Sequence, residues 1–334
     1  MKTVAVSLLL ATAVLAAGAA QRRVPARKPD RAPVAHGNYV RLDEWSRANE
    51  FQIRWLKRDE TLQLSNRLAR LVFIVDPRQD SCRAEINGVE VRLLVPLVYQ
   101  NGAPFISQLD LDKTLRPVLL PPANARGIKI KTICLDPGHG GKDPGFIVGA
   151  HREKQYTLLL AQDLRDQLAK AGFKVRLTRT TDAFIPLPAR PALARRSGAD
   201  LFVSLHFNST QAGRDEVKGT EVYCLTPVGA PSTNAQGEGA GAGWFAGNRH
   251  DEKNMLLAYQ VQKSFAKSLQ IEDRGVRRAR YAVLRDATMP AILIEGGFMS
   301  HPVEGKKIFD PAYRRQMAQA IVSGITAYKK IVER

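Results

Sequence analysis

The chain has 334 residues, 44% hydrophobic and 25% charged, enough apolar material to bury a sizeable core in one or two domains. Lysine and arginine outnumber aspartate and glutamate 50 to 32, and the resulting formal charge of +18 favours polyanionic partners. Three scattered cysteines exclude a disulfide framework, and the lack of a CxxC pair argues against a cysteine-held zinc.

Residues 1–20 read as a signal peptide. Lys2 starts it, Val4 to Ala17 is almost wholly apolar, and Gly18-Ala19-Ala20 supplies small residues for cleavage before Gln21. The alternative is an uncleaved anchor, for which the stretch is short of the roughly 20 residues that span a bilayer. No later segment is apolar enough to cross a membrane, so an exported, soluble protein is expected. With export, and with no recognisable nucleic-acid module, an acidic envelope polymer suits the positive charge better than nucleic acid does.

Residues 21–37 are rich in Arg, Pro and Ala, without apolar periodicity, and read as a basic disordered tether. A small strand-rich (α+β) domain is expected over 38–120. Leu42 to Asn49 reads as a short helix, while Leu62–Leu64, Leu71–Val75 and Val89–Val95 read as strands with turns at Asn87-Gly88 and Asn101-Gly102. Residues 121–127, opened by Pro121-Pro122, form a linker.

From 128 to 334 strands and helices alternate, which implies an α/β sheet covered by helices on both faces. Strands are expected at Ile130–Leu135, Lys174–Thr178, Leu201–Leu205, Gly219–Leu225 and Ala291–Ile294. Helices are expected at Glu153–Ala171, Pro188–Ser197, Asn254–Leu269 and Pro311–Val332. Pro227 to Lys253 is Gly-rich and reads as a mobile rim loop or as a disordered insertion. Cys134 and Cys224 lie in apolar runs and read as buried core residues; a bridge between them would require close Cα atoms.

Four polar residues stand where this pattern places chemistry. His139 and His206 end apolar runs, Glu153 opens a helix, and Glu295 follows Ala-Ile-Leu-Ile. Open α/β sheets build their sites at carboxyl ends of strands. Two histidines and a glutamate make a ligand set that catalytic zinc accepts, with a position left for water. Each residue also has a plainer reading. His139 could be a loop histidine, His206 a satisfied core histidine, and Glu153 a charge on a helix N-terminus.

The surrounding words resemble the zinc-dependent N-acetylmuramoyl-L-alanine amidases, the AmiC-like amidase-3 family. They are Leu135-Asp-Pro-Gly-His-Gly-Gly-Lys-Asp-Pro-Gly145, Arg152-Glu-Lys154, Val175-Arg-Leu-Thr-Arg179, Ser204-Leu-His-Phe-Asn208, Gly219-Thr-Glu-Val-Tyr223, Asp273-Arg-Gly-Val276 and Ile294-Glu-Gly-Gly-Phe-Met-Ser300. The resemblance covers roughly Ile130 to Lys330. It implies a single mixed sheet flanked by helices, Zn2+ on His139, Glu153 and His206, and Glu295 as the catalytic glutamate. The implied reaction is hydrolysis of the amide between the lactyl group of N-acetylmuramic acid and L-alanine in peptidoglycan. An envelope activator protein is a candidate partner, and a periplasmic monomer is expected, with extracellular release the alternative.

Two departures stand out. Phe207-Asn-Ser-Thr210 follows His206 where the family often has Ala-Asn-Ala, and Pro227–Lys253 lacks the periodicity of the inhibitory helix some members carry. The 38–120 segment is similar to stalk modules first named from copper amine oxidases, through Ala84-Glu-Ile-Asn-Gly-Val-Glu-Val-Arg-Leu93 and Phe105-Ile-Ser-Gln-Leu-Asp-Leu111. That likeness implies wall positioning, and a segment without histidine carries no copper chemistry over.

Overall fold

The apolar run Thr132–Pro137 forms a strand whose Ile133, Cys134 and Leu135 are all buried, as a strand covered on both faces requires. It belongs to an eleven-stranded mixed sheet in the computed structural model, which describes residues 38–74, 83–234, 238–241 and 243–334. The expected signal peptide, the basic tether and Cys82 lie outside the described residues.

The N-terminal part runs β1 (Tyr39–Arg41), α1 (Leu42–Ala48), β2 (Gln52–Lys57), β3 (Thr61–Ser65), β4 (Arg70–Ile74), β5 (Arg83–Ile86), β6 (Val89–Arg92), β7 (Val98–Gln100) and β8 (Ala103–Ser107). A helical run follows, α2 (Gln108–Asp110), a π-turn over Leu111–Leu115, and α3 (Arg116–Leu119). Next come β9 (Thr132–Pro137), the hairpin β10 (Ile147–Val148) and β11 (His151–Arg152), α4 (Glu153–Lys170), β12 (Lys174–Leu177) and α5 (Ala189–Arg196). The chain continues through β13 (Leu201–Asn208), β14 (Thr220–Leu225), α6 (Asp251–Ser268), β15 (Asp273–Ala279) and α7 (Ala282–Arg285). It closes with β16 (Ala291–Phe298), α8 (Pro302–Phe309) and α9 (Pro311–Val332).

The sheet order is β12-β9-β13-β16-β14-β15-β6-β5-β4-β3-β2. The first four strands are parallel, β14 turns antiparallel to β16, and β15 and β6 follow β14 in parallel. Helices α4, α6 and α9 cover one face. On α4, Thr157, Leu160, Ala161, Leu164 and Leu168 recur at helical spacing and are buried, each large side chain contributing about 1.5–3 kcal/mol. The opposite face carries a smaller cluster of Ala194, Phe202, Tyr223, Leu225, Val283, Leu284 and Leu293, under α5 and α7.

The strand-rich segment does not stand apart as the separate module the sequence suggests. Strand β6 pairs with β15 at Val91 and Val276, and Asp273 accepts a hydrogen bond from the Glu90 N–H at 2.9 Å. Tyr259 donates to the Ile86 carbonyl at 2.9 Å. An edge strand on either side would leave backbone groups open to chance pairing, and their union satisfies both edges. The described residues from 38 to 334 accordingly form one compact unit.

Smaller differences have local causes. The strand expected over Val89–Val95 stops at Arg92, because the Leu94 and Val95 N–H groups donate to the buried Asp110 carboxylate instead. Described residues of the Pro227–Lys253 segment are tied to the end of β15. The Thr233 N–H donates to the Arg278 carbonyl at 2.9 Å, the Arg278 N–H donates to Thr233 Oγ1 at 2.8 Å, and Arg280 donates to Gly239 O at 2.9 Å. Its last residues form a 3-10 turn, Ala246–His250, that leads into α6 three residues earlier than Asn254. Cys134 and Cys224 are buried and unpaired. Among the described residues no helix is long and apolar enough to cross a membrane.

Candidate metal centre

Strand β9 delivers the chain into the turn Gly138-His139-Gly140, and β13 delivers His206 one strand away. The hairpin β10–β11 then brings Glu153, the first residue of α4, back over both. Glu153 Oε1 lies 3.0 Å from His139 Nε2 and 3.1 Å from His206 Nδ1. One ligand atom from each of the three lies within 4.8 Å of the others, a spacing that one metal ion could close. The His139 Nδ1 contacts Asp143 Oδ2 at 2.9 Å, the kind of carboxylate contact that fixes a ligand histidine's ring and tautomer.

Electrostatics follow from this packing. Burial alone would raise the Glu153 pKa, but His139 and His206 outweigh it and hold the carboxyl well below the usual range. Burial lowers the His139 pKa, whereas Glu153 and Asp143 raise it further, for a net upward shift. The second Glu153 oxygen accepts from the Phe146 N–H at 3.0 Å, which locks the carboxylate in place.

Glu295 sits beside this cluster, in register with His206 on one side and Glu221 on the other. Its Oε2 is buried and has no hydrogen-bond partner. Burial first, then the charges of Glu153 and Glu221, push its pKa well above the ordinary value. A cleft of about 330 Å³ joins the groups, with Leu187, Asn208, Tyr281 and Leu293 among its walls.

Residues that the sequence did not single out hold the cluster. Asp136 is fully buried and accepts from Thr178 Oγ1 at 2.6 Å, Ser204 Oγ at 2.8 Å and Arg190 Nη1 at 2.9 Å. Arg190 also donates to the His139 carbonyl at 2.9 Å, and Arg179 to those of Pro137 and Gly138 at 2.9 and 2.8 Å. These bonds stabilise His139 at φ +61°, a left-handed conformation uncommon for a side chain with a Cβ. Glu221 accepts from Arg274 at 2.7 Å and from Asn208 at 3.2 Å. Asp136, Arg179 and Glu221 stood inside quoted words without being assigned a role; Arg190 stood in a helix of several arginines and carried no local signal.

The surroundings fit a metal with an approaching substrate. A Cβ on Gly138 would lie 2.3 Å from the His206 ring, and one on Gly145 would lie 2.6 Å from Glu153 Oε2. Both ligands therefore need bare backbone beside them. Gly138→Ala should displace the His206 ring and weaken metal binding by about 10–100-fold, the range for lost ligand support. Titration of the metal-free variant with Zn2+ or Co2+ checks this, and wild-type affinity would contradict it.

Fold and site define a class, that of mixed-sheet α/β domains with a His-Glu-His metal-type cleft and a facing carboxylate. Residues 133–327 match the Amidase_3 family, N-acetylmuramoyl-L-alanine amidase, and the chain belongs to that family. Over 280 residues it is 34% identical to the N-acetylmuramoyl-L-alanine amidase AmiC of Neisseria meningitidis serogroup B, covering 73% of this chain and 67% of that protein. The solved structure of the amidase AmiC2 of Nostoc punctiforme is similar with a TM-score of 0.51 and 32% identity, over 61% of this chain and 99% of that one. The CwlD amidase from Clostridioides difficile, solved in complex with the GerS lipoprotein, gives a TM-score of 0.50 and 26% identity over 60% and 99%. The activity is that of an N-acetylmuramoyl-L-alanine amidase, a hydrolase acting on peptidoglycan.

Proposed function

We propose that this chain is an exported, zinc-dependent amidase that cuts the bond between the lactyl group of N-acetylmuramic acid and L-alanine. The observation that carries the reading is the convergence of His139, Glu153 and His206 on one point beside an unpartnered Glu295. The two imidazoles and the Glu153 carboxylate would hold the ion. Zinc bound there supplies Lewis-acid activation of water and of the scissile carbonyl. Glu295 takes a proton from the attacking water and passes it to the departing L-alanine nitrogen. The water oxygen bonds to the lactyl carbonyl carbon, the C–N bond breaks, and a carboxylate and an amine result. Burial and the charges of Glu153 and Glu221 raise the Glu295 pKa, which favours its taking up the proton of the attacking water.

The biological setting follows as part of the same reading. The enzyme works in the periplasm, or outside the cell as the alternative, as a monomer that remodels or recycles the wall. The strand-rich segment, residues 38–120, positions it there, and an envelope activator would be a counterpart of the lipoprotein bound to CwlD.

Purified protein incubated with peptidoglycan should release new N-terminal L-alanine, with release stopped by a chelator and restored by Zn2+. No L-alanine termini, with zinc and a candidate activator present, would overturn the reading. Acid should also strip the ion. Proton and metal compete for His139, whose pKa is raised, so affinity should be full above that pKa and fall as pH drops through it. Zinc content after dialysis across a pH series measures the effect, and excess zinc should offset it.

A further inference from the structure

The side of the sheet that bears the metal cluster carries a second chemical feature. Strands β16, β14, β15 and β6 lie side by side, and the pleat decides which residues share a face. Val276 and Val91 are paired and buried in the larger core, so Arg277 and Arg92, one residue on, point to the opposite face. That is the face of Tyr223, the register partner of Arg277, and of Leu293, which lines the cleft.

Contacts lead from the cleft to the β15 arginines, and a second group lies on the neighbouring strands. Asn208, in the cleft wall, donates to Glu221 at 3.2 Å. Glu221 in turn receives Arg274 at 2.7 Å and Arg277 at 3.2 Å. On β6 and β5, Arg92 and Arg83 meet Glu90 at 3.1 and 2.6 Å. Four guanidiniums thus share two close carboxylates, with Glu272 a further 3.9 Å contact of Arg274. The Arg92 Nε is buried, and its approach to Glu90 does not make a hydrogen bond. Burial pushes the Arg92 guanidinium below its ordinary pKa; Glu90 opposes this, while Arg277, Arg83 and Arg274 add to it. Arg83, Arg92 and Arg274 keep 48%, 25% and 23% of their side-chain surface open to solvent. Glu85, the register partner of Glu90, lies on the same face and brings the carboxylates there to four, so the strip is balanced in net charge. What it offers an anion is the solvent-facing guanidinium surface of Arg83, Arg92 and Arg274.

We propose that Arg92, Arg274 and Arg277, with Arg83 at the rim, form a subsite for the carboxylates of the stem peptide. The strand-rich N-terminal segment then supplies part of the substrate site through β5 and β6. This rests on the amidase reading, which puts L-alanine beside Glu295. Adjacent strands lie about 4.8 Å apart, so Arg274 and Arg277 stand roughly 10 Å from Glu295, Arg92 about 14 Å and Arg83 about 19 Å. An extended peptide covers about 3.3 Å per residue, so with L-alanine beside Glu295 its fourth residue, about 10 Å away, reaches the near edge of the strip.

The test uses calorimetric binding to the full chain of a synthetic stem tetrapeptide with free carboxylates, against the same peptide with those carboxylates amidated. The wild type should prefer the free form by about tenfold or more, and the preference should shrink with added NaCl. Arg92→Gln should remove most of that preference, Arg83→Gln a smaller part, and Arg92→Lys should retain some, all with unchanged melting temperatures. Equal binding of the two peptides by the wild type would overturn the proposal, as would an unchanged preference in both glutamine variants. Hydrolysis of a muramyl-linked peptide is followed in parallel. Hydrolysis without arginine-dependent preference removes the subsite alone; preference without hydrolysis removes the amidase reading and leaves the subsite.

Discussion

Glu295→Gln should lower kcat on peptidoglycan by about 10²–10⁴-fold, the usual share of a positioned acid–base group, with zinc content and wall binding unchanged. The substitution keeps the shape of the side chain and deletes its ability to take a proton. It also lightens an electrostatic load, since the Glu295 Oε2 is buried without a partner and the charges of Glu153 and Glu221 lie close by. Stability should therefore hold or rise, because a buried acid without a partner costs more than a buried amide. Loss of turnover in a protein at least as stable separates a catalytic group from a structural one. A wild-type rate of L-alanine release in the variant would reject the acid–base role. It would also favour a protein that binds the wall without cutting it, if the wild type were equally slow.

The main candidates were legible because each interrupts a pattern. Glu295 ends four apolar residues, His139 and His206 end strand-like runs, and Glu153 opens an amphipathic helix, so their positions at element ends could be inferred locally. That they meet could not. Glu153 and His206 stand 53 residues apart, and their contact depends on how the β10–β11 hairpin folds α4 back over the sheet. The supporting arginines were hidden for another reason. In α5, Arg190 is buried while Arg195 and Arg196 are exposed, and no spacing rule tells which one turns inward to meet Asp136. Strand β15 was obscured by its own composition, since Asp273-Arg-Gly-Val-Arg-Arg-Ala alternates charge where a half-buried strand would show apolar residues. Its arginines are held by ion pairs and hydrogen bonds instead of apolar packing: Arg274 and Arg277 meet Glu221, and the buried Arg278 donates to Lys113 O. The union of the strand-rich segment with the rest of the sheet had no local signal either, as Glu90 and Asp273 are 183 residues apart.

Asp136→Ala should destabilise the fold by about 3–5 kcal/mol, because it removes one partner of a buried ion pair and leaves the other in place. Arg190 and Asp136 expose 2% and 0% of their side chains, so water cannot take over the lost contact. Two hydroxyls, on Thr178 and Ser204, lose their acceptor at the same time. At about 2–4 °C per kcal/mol for a chain of this class, the melting temperature should fall by roughly 6–20 °C. Asp136→Asn is the informative companion. Its amide oxygen can still accept from Arg190, so most of the stability should return, but the charge that draws Arg190 under the His139 turn is gone. If that draw holds His139 at positive φ, the Asn variant should bind zinc more weakly than wild type while melting close to it. If both variants bind zinc like the wild type, the pair serves the core alone, and Arg179 with its bonds to Pro137 and Gly138 is sufficient to hold the metal turn.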